Sequence, residues 1–260
     1  MRAVRHPRRG PRPVPRLVRG VRTVRRPPVA QAAERALFGC VRELVDRRRR
    51  EPGEDVISDL AALGELPEEE IVALTAQLIF AGHSTAVRHI VLGVLRLLRH
   101  PEQYTALGAD PSLVPGAVEE MLRMSVPSDH GLVRYAHTDL TVDRVTIATS
   151  DAVLLFHRVA NRDPAAFPDL DRFDTTRRPD HPSLAFGYAT RLCVGAQLAR
   201  AQLQSILTRL PHRFPALHLA VAPDTLRPTP SRITGGLEEL PVTWRSGPTP
   251  QWRGAPLRTL

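Results

Sequence analysis

The sequence predicts a mainly α-helical protein with small β-sheets. Apolar residues keep helical spacing from Pro67 to Arg99, about 33 residues, which at about 1.5 Å each makes a helix of about 50 Å. Two further runs, Ala32–Arg50 and Ala196–Leu210, show the same period. Strand-like alternation is confined to 132–136 and 140–155, which allows only small sheets.

A chain of 260 residues is long enough for one large domain or two small ones. No run approaches 18 uncharged apolar residues, so no membrane-spanning helix and a cytoplasmic location are expected. Two cysteines, Cys40 and Cys193, suit a reducing compartment and not a disulfide framework. All 36 basic side chains are arginine, and the net charge of +9 is unevenly placed. Residues 1–30 hold ten arginines, six prolines and no acid, leaving 26 arginines against 27 acids elsewhere. Residues 1–31 are therefore expected to be a disordered Arg/Pro-rich tail, and 246–260 a second disordered extension. The tail suits an arm for phosphates, an inert stretch of GC-rich coding read out of frame, or a transit peptide. Its prolines and single hydroxyl residue, Thr23, fit the last poorly. Nothing else in the chain offers aromatic stacking or a groove-reading motif, which argues against nucleic acid as a partner.

Between these ends, the first helix, Ala32–Arg50, places Leu37, Val41, Leu44 and Val45 on one face and stops at Pro52-Gly53. A short helix, Val56–Leu63, follows. The long helix opens with Pro67 and with Glu68, Glu69 and Glu70, acids that favour the positive end of the helix dipole. Its middle, 71–81, is nearly all apolar and should run through the core. Gly82 and Thr85 interrupt it in Ala81-Gly82-His83-Ser84-Thr85. A close-packing glycine, with a threonine bonding back to a carbonyl one turn earlier, is sufficient reason for a bend there. Pro115 opens a helix in which Glu120 and Arg123, three apart, share a face. On most helices such a pair is a solvated surface contact.

Cys193 lies between a glycine-bearing loop, Phe186-Gly187-Tyr188-Ala189-Thr190-Arg191-Leu192-Cys193-Val194-Gly195, and the run that begins at Ala196. A cysteine at a helix start faces unpaired N–H groups and the positive dipole end, which favour a thiolate able to act as nucleophile or metal ligand. The plainer reading is a small buried hydrophobe.

This loop resembles the haem-ligand loop of the cytochrome P450 family, Phe-Gly-x-Gly-x-[His/Arg]-x-Cys-x-Gly. It matches at Phe186, Gly187, Arg191, Cys193 and Gly195, and the following Ala196–Arg200 also fits. It departs at Ala189, where the family has glycine; an alanine there is strained if its φ is positive. The resemblance implies that Cys193 ligates the iron of haem b (iron protoporphyrin IX), with Phe186, Gly187 and Gly195 shaping the loop. Arg191, and Arg134 in Gly131-Leu132-Val133-Arg134-Tyr135-Ala136, would each bind a haem propionate. Gly82, Ser84 and Thr85 resemble the family's oxygen-binding kink, Ala-Gly-x-[Asp/Glu]-Thr, where the threonine steers protons. Ser84 stands where the family has an acid, and a hydroxyl relays a proton but does not supply one at neutral pH.

Glu120 and Arg123 resemble the family's Glu-x-x-Arg pair, locked by a second arginine from the loop Asn161-Arg162-Asp163-Pro164 … Phe167-Pro168 … Asp171-Arg172-Phe173. Arg172 is the expected third member, in a scaffold beneath the haem pocket. Residues 233–242 resemble the family's terminal hairpin. The resemblance runs from Ala32 to Trp244, so 32–245 is expected to be one domain with a truncated P450 fold of bacterial type, lacking the family's N-terminal half.

It implies a monooxygenase that inserts one oxygen atom of O2 into a small organic substrate. In haem-thiolate enzymes the thiolate's electron donation favours O–O cleavage. Electrons would come from NAD(P)H through a reductase and a ferredoxin-type partner. Two other readings stay open: an inactive remnant that keeps the motifs without closing a pocket, and a haem-free auxiliary interaction protein.

Overall fold

The computed structural model describes residues 27–125, 131–178, 180–229 and 236–244. The chain divides into two compact units, one running to Thr85 and the other from Ala86, where a single domain is expected from the sequence. The Arg-rich residues 1–26, the tip of the expected terminal hairpin at Ile233, Thr234 and Gly235, and the extension 246–260 lie outside the described residues.

In the first unit, helix α1 spans Pro27–Arg50, helix α2 spans Val56–Ala62, and helix α3 (Glu68–Arg99) begins. The α1 start is five residues earlier than expected, because Pro27 and Pro28 fall in the first turn, where proline's missing N–H costs no hydrogen bond. Leu37, Val41 and Val45 bury on one side of α1 against Ile71, Val72 and Ala76 of α3. Asp55 caps α2 by accepting from Ser58 N at 3.0 Å, and Arg48 pairs with Asp55 at 2.6 Å. Asp55 Oδ1 and the α2 N-terminus thus tie the loop after Pro52 to its helix.

Helix α3 runs as unbroken α-helix through Gly82 and Thr85, which corrects the expected interruption. Thr85 does bond back one turn as expected, donating from Oγ1 to the Ala81 carbonyl at 2.7 Å, and the helix continues past it. A Cβ at Gly82 would meet nothing within 4 Å, so this glycine is not there for close packing among the described residues. By length and composition alone α3 is apolar enough to cross a membrane, against the expectation. It nevertheless carries Arg88, His89 and Arg96 along its second half, and such groups are costly at bilayer depth.

In the second unit, α4 (Pro101–Ala109), α5 (Val114–Met124) and α7 (Ala196–Arg213) surround a core that includes Leu97, Leu107, Val118, Leu122, Leu203 and Leu207. The end of α3 and short helix α6 (His157–Ala160) complete its helices. Among the described residues the sheets are all two-stranded. Strand β1 (Leu132–Tyr135) pairs antiparallel with β4 (Ala152–Leu155), setting Arg134 opposite Val153. Strands β2 (Leu140–Val142) and β3 (Val145–Ile147) form a hairpin, and β5 (His218–Leu219) pairs with β6 (Val242–Thr243). The single expected alternation 140–155 is therefore three strands. Asp143 (φ 55°) and Ser150 (φ 73°) turn the chain in the left-handed region, and Asp139 accepts from Thr149 N at 2.7 Å to hold the second turn.

Candidate functional site

Helix α5 is the base of the site. Its residues Glu120 and Arg123, only 2% and 1% exposed, meet through Arg123 Nε–Glu120 Oε2 at 2.7 Å and Nη2–Oε1 at 2.8 Å. The three remaining Arg123 donors go to carbonyls: Nη1 to Asn161 and Leu170, both at 2.9 Å, and Nη2 to Arg172 at 3.3 Å. All five guanidinium N–H groups are used, as a buried guanidinium requires. The ring of Phe167 covers the cation at 5.2 Å.

Arg172 is not the third member of this network. Its side chain is exposed and 3.9 Å from Asp174, and only its carbonyl faces Arg123. Arg177 takes that place, with Nε 3.3 Å from the Glu120 carboxylate and Nη2 donating to the Asp169 and Arg172 carbonyls. The physical reason is a turn: Asp174 Oδ1 accepts from Thr176 N at 2.9 Å, reversing the chain so that position 177 returns to Glu120. Three arginines, 172, 177 and 178, lie within seven residues, and spacing alone does not choose among them. The Asp-Thr-Thr turn signal is what would have done so.

Asn161, fully buried, joins this network to the cysteine loop. Its Nδ2 donates to Arg123 O at 3.2 Å, and its Oδ1 accepts from Leu184 N at 2.7 Å. The sequence named Asn161 only as part of a loop. Leu184–Phe186 is a single tight turn, and Gly187 leaves it at φ 78° with a Cβ position only 3.0 Å from the Arg191 carbonyl. That conformation and that space both demand glycine. A second turn, Ala189–Arg191, follows, with Leu192 N donating to Ala189 O at 3.0 Å. Ala189 sits at φ 51°, so the condition for strain at this departure from the family pattern is met.

Cys193 N then donates to Phe186 O at 2.8 Å, closing the loop, and Cys193 O accepts from Ala196 N at 3.2 Å as α7 begins. The thiol is exposed, not buried as a small hydrophobe. In the same loop and the first turn of α7, Tyr188, Leu192 and Leu198 are exposed, and Val194 has 88% of its surface open. Gly195 lies at the α7 start, its Cβ position 3.9 Å from Cys193 Sγ. Arg191 ends its turn exposed to solvent.

The structure thus gathers Phe186, Gly187, Arg191, Cys193 and Gly195 in one loop over the Glu120–Arg123 network. Arg134 lies on β1, exposed, with Nη1 on the Val133 carbonyl at 2.9 Å. Its charge, after burial, helps hold His157 below its ordinary pKa. Gly82, Ser84 and Thr85 lie on α3 in the first unit.

This donor set suits an iron already held in a macrocycle. Among the described residues no three His, Cys, Asp or Glu side chains gather, so no three-ligand site for a bare ion is present among them. A haem iron would need a single protein thiolate, which Cys193 could provide, and exposed Leu192 and Val194, its neighbours in sequence, would suit an apolar ring.

The sequence model of the cytochrome P450 family matches residues 42–228. The chain is 44% identical over 207 residues to pentalenolactone synthase of Streptomyces exfoliatus, covering 78% of this chain and 52% of that protein. It is 40% identical over 219 residues to vitamin D3 dihydroxylase of Streptomyces griseolus, covering 83% and 54%. The crystal structure of CYP105P1 in complex with filipin I superposes with a TM-score of 0.84 at 36% identity, over 90% of this chain and 60% of that one. The chain spans about half the length of the curated relatives it matches. With the loop, the buried Glu-x-x-Arg pair and most of the sequence in agreement, this chain belongs to the cytochrome P450 family.

Proposed function

We propose that this chain carries the haem-thiolate chemistry of a monooxygenase acting on a small organic substrate. The observation that carries the reading is Cys193: an exposed thiol on a loop whose backbone is hydrogen-bonded at both sides of it. In this reading Cys193 Sγ ligates the iron of haem b, while Phe186, Gly187 and Gly195 keep the loop low enough for the ring to approach. Arg134 and Arg191 pair with the haem propionates, contacts for which guanidinium geometry is well suited. When bound, the haem supplies one-electron and dioxygen chemistry that no protein side chain provides.

The chain's own part is to bind, orient and move protons. Thr85 Oγ1 donates to the Ala81 carbonyl, so its lone pairs are the acceptors it offers to a proton on the opposite side. Rotation of that hydroxyl passes a proton on. Ser84 adds a second relay hydroxyl but no acid, so in this chain the proton originates elsewhere. The open space beside Gly82 leaves room for a ligand against α3. The electrons come from NAD(P)H through a reductase and a ferredoxin-type partner, and the protein works without a membrane.

The test is spectroscopic. The full chain is expressed with haem supplied, and the carbon-monoxide-bound ferrous spectrum is recorded for the wild type and for Cys193→Ala. The wild type should show the strongly red-shifted band of thiolate ligation, and Cys193→Ala should lack it. A wild type that takes up haem without that band overturns the reading in favour of an inactive remnant, and one that takes up none overturns it in favour of a haem-free role.

A further inference from the structure

Arg200, on the second turn of α7, makes two contacts at once. Its Nε and Nη2 donate to Glu119 Oε1 and Oε2 at 2.6 and 3.2 Å, a two-point bridge from α7 to α5. Its guanidinium carbon also stands 4.7 Å from the centre of the Phe186 ring. Phe186 is the residue whose carbonyl accepts the Cys193 N–H. The adjacent carboxylates of α5 therefore both serve the Leu184–Phe186 turn that opens the loop. Glu120 reaches it through Arg123, Asn161 and Leu184 N, and Glu119 reaches it through Arg200 and the Phe186 ring.

The Glu119–Arg200 pair is partly open to solvent, so its contribution to global stability is small. Its effect is geometric. A planar fork held by both oxygens of one carboxylate cannot turn freely, and it presents a fixed flat face to the ring beneath. A lysine at this position would keep the charge and lose the face.

We propose that Arg200 is a positioning residue for Cys193. By clamping the Phe186 ring it fixes the Phe186 carbonyl, and through the 2.8 Å hydrogen bond from Cys193 N it fixes the direction in which Sγ points. This rests on the haem-thiolate reading above.

The experiment uses the full chain loaded with haem. It measures the ratio of non-thiolate to thiolate carbon-monoxide complex, alongside the thermal midpoint, for the wild type, Arg200→Met, Arg200→Lys, Phe186→Leu and the Arg200→Met/Phe186→Leu double variant. Each single variant is expected to raise that ratio about two- to fivefold, the population change that an exposed cation–π contact corresponds to. The double variant should go no further than the larger single effect, since both remove one contact. The thermal midpoints should stay close together. A wild-type ratio in both Arg200 variants overturns the proposal, as does full additivity in the double variant. If Arg200→Met does not fold, Arg200→Lys and Phe186→Leu decide it by the same ratio. If the wild type itself lacks the thiolate band, the haem-thiolate reading falls. If the band is present and both Arg200 variants keep the wild-type ratio, only the positioning role falls.

Discussion

Arg123 spends two of its five N–H groups on Glu120 and the other three on carbonyls of Asn161, Leu170 and Arg172. Removing this arginine leaves a buried carboxylate with fewer donors and opens the coil around it. Arg123→Met is therefore expected to cost about 3–5 kcal/mol. Arg177→Ala, which removes a longer contact to Glu120, should cost about 1–3 kcal/mol. Arg172→Ala should stay within about 0.5 kcal/mol, because its side chain is exposed. Urea denaturation midpoints rank the three; an Arg172→Ala loss equal to that of Arg177→Ala contradicts the assignment of Arg177.

At the cysteine loop, Ala189→Gly relieves left-handed strain of about 1–2 kcal/mol against about 0.5–1 kcal/mol for glycine's extra chain freedom, a net gain of up to about 1.5 kcal/mol. The neighbouring change runs the other way. Gly187→Ala meets both a φ of 78° and the Arg191 carbonyl at 3.0 Å, and should cost about 1–3 kcal/mol. Thermal melts of the two variants should move in opposite directions.

His89 is 5% exposed, and its Nδ1 has no hydrogen bond among the described residues. Burial, with the charge of Arg88 adding to it, pushes its pKa down to about 4 from the ordinary 6.5. Below pH 6.5 the unfolded chain takes up a proton that the native imidazole refuses. Stability should therefore fall as the pH drops from 6.5 to about 4 and level off below, by about 3 kcal/mol from this residue. His157, also lowered, contributes in the same direction, whereas the lowered aspartates Asp55, Asp110, Asp139 and Asp174 act below their unfolded value of 3.8. His89→Met should flatten the profile measured between pH 7 and 4.5; an unchanged slope rules out the effect.

Gly116 on α5 faces the Thr175 carbonyl, and a Cβ there would come within 2.9 Å of it. A backbone oxygen does not swing aside as a side chain does. Gly116→Ala is expected to cost about 1–3 kcal/mol by overpacking, read from the same denaturation series.

The helices of this chain were legible because apolar spacing and proline stops act locally: Leu37, Val41 and Val45 bury as their period requires. The cysteine loop was legible for a different reason: its motif is a run of residue types at fixed single positions, of which Gly187 is required by its backbone shape. Three things were not legible. The reach of Arg177 to Glu120 depends on a turn whose direction is set in three dimensions. The buried bridging of Asn161 depends on two carbon–oxygen and nitrogen groups brought together from positions 123 and 184. The unbroken run of α3 through Gly82 was not legible, although the bond of Thr85 back to the Ala81 carbonyl was.

The coil from 161 to 178 meets Arg123 and Arg177 largely through peptide carbonyls, which every amino acid possesses. Its path is thus written largely in two guanidinium groups and one carboxylate, with buried Asn161, Phe167 and Phe173, and its exposed side chains are released from specifying it. A designer can rewrite the exposed positions Ala165, Asp171 and Arg172 freely, to add charge, a tag or a label. The surface so altered would still rest on an unchanged frame.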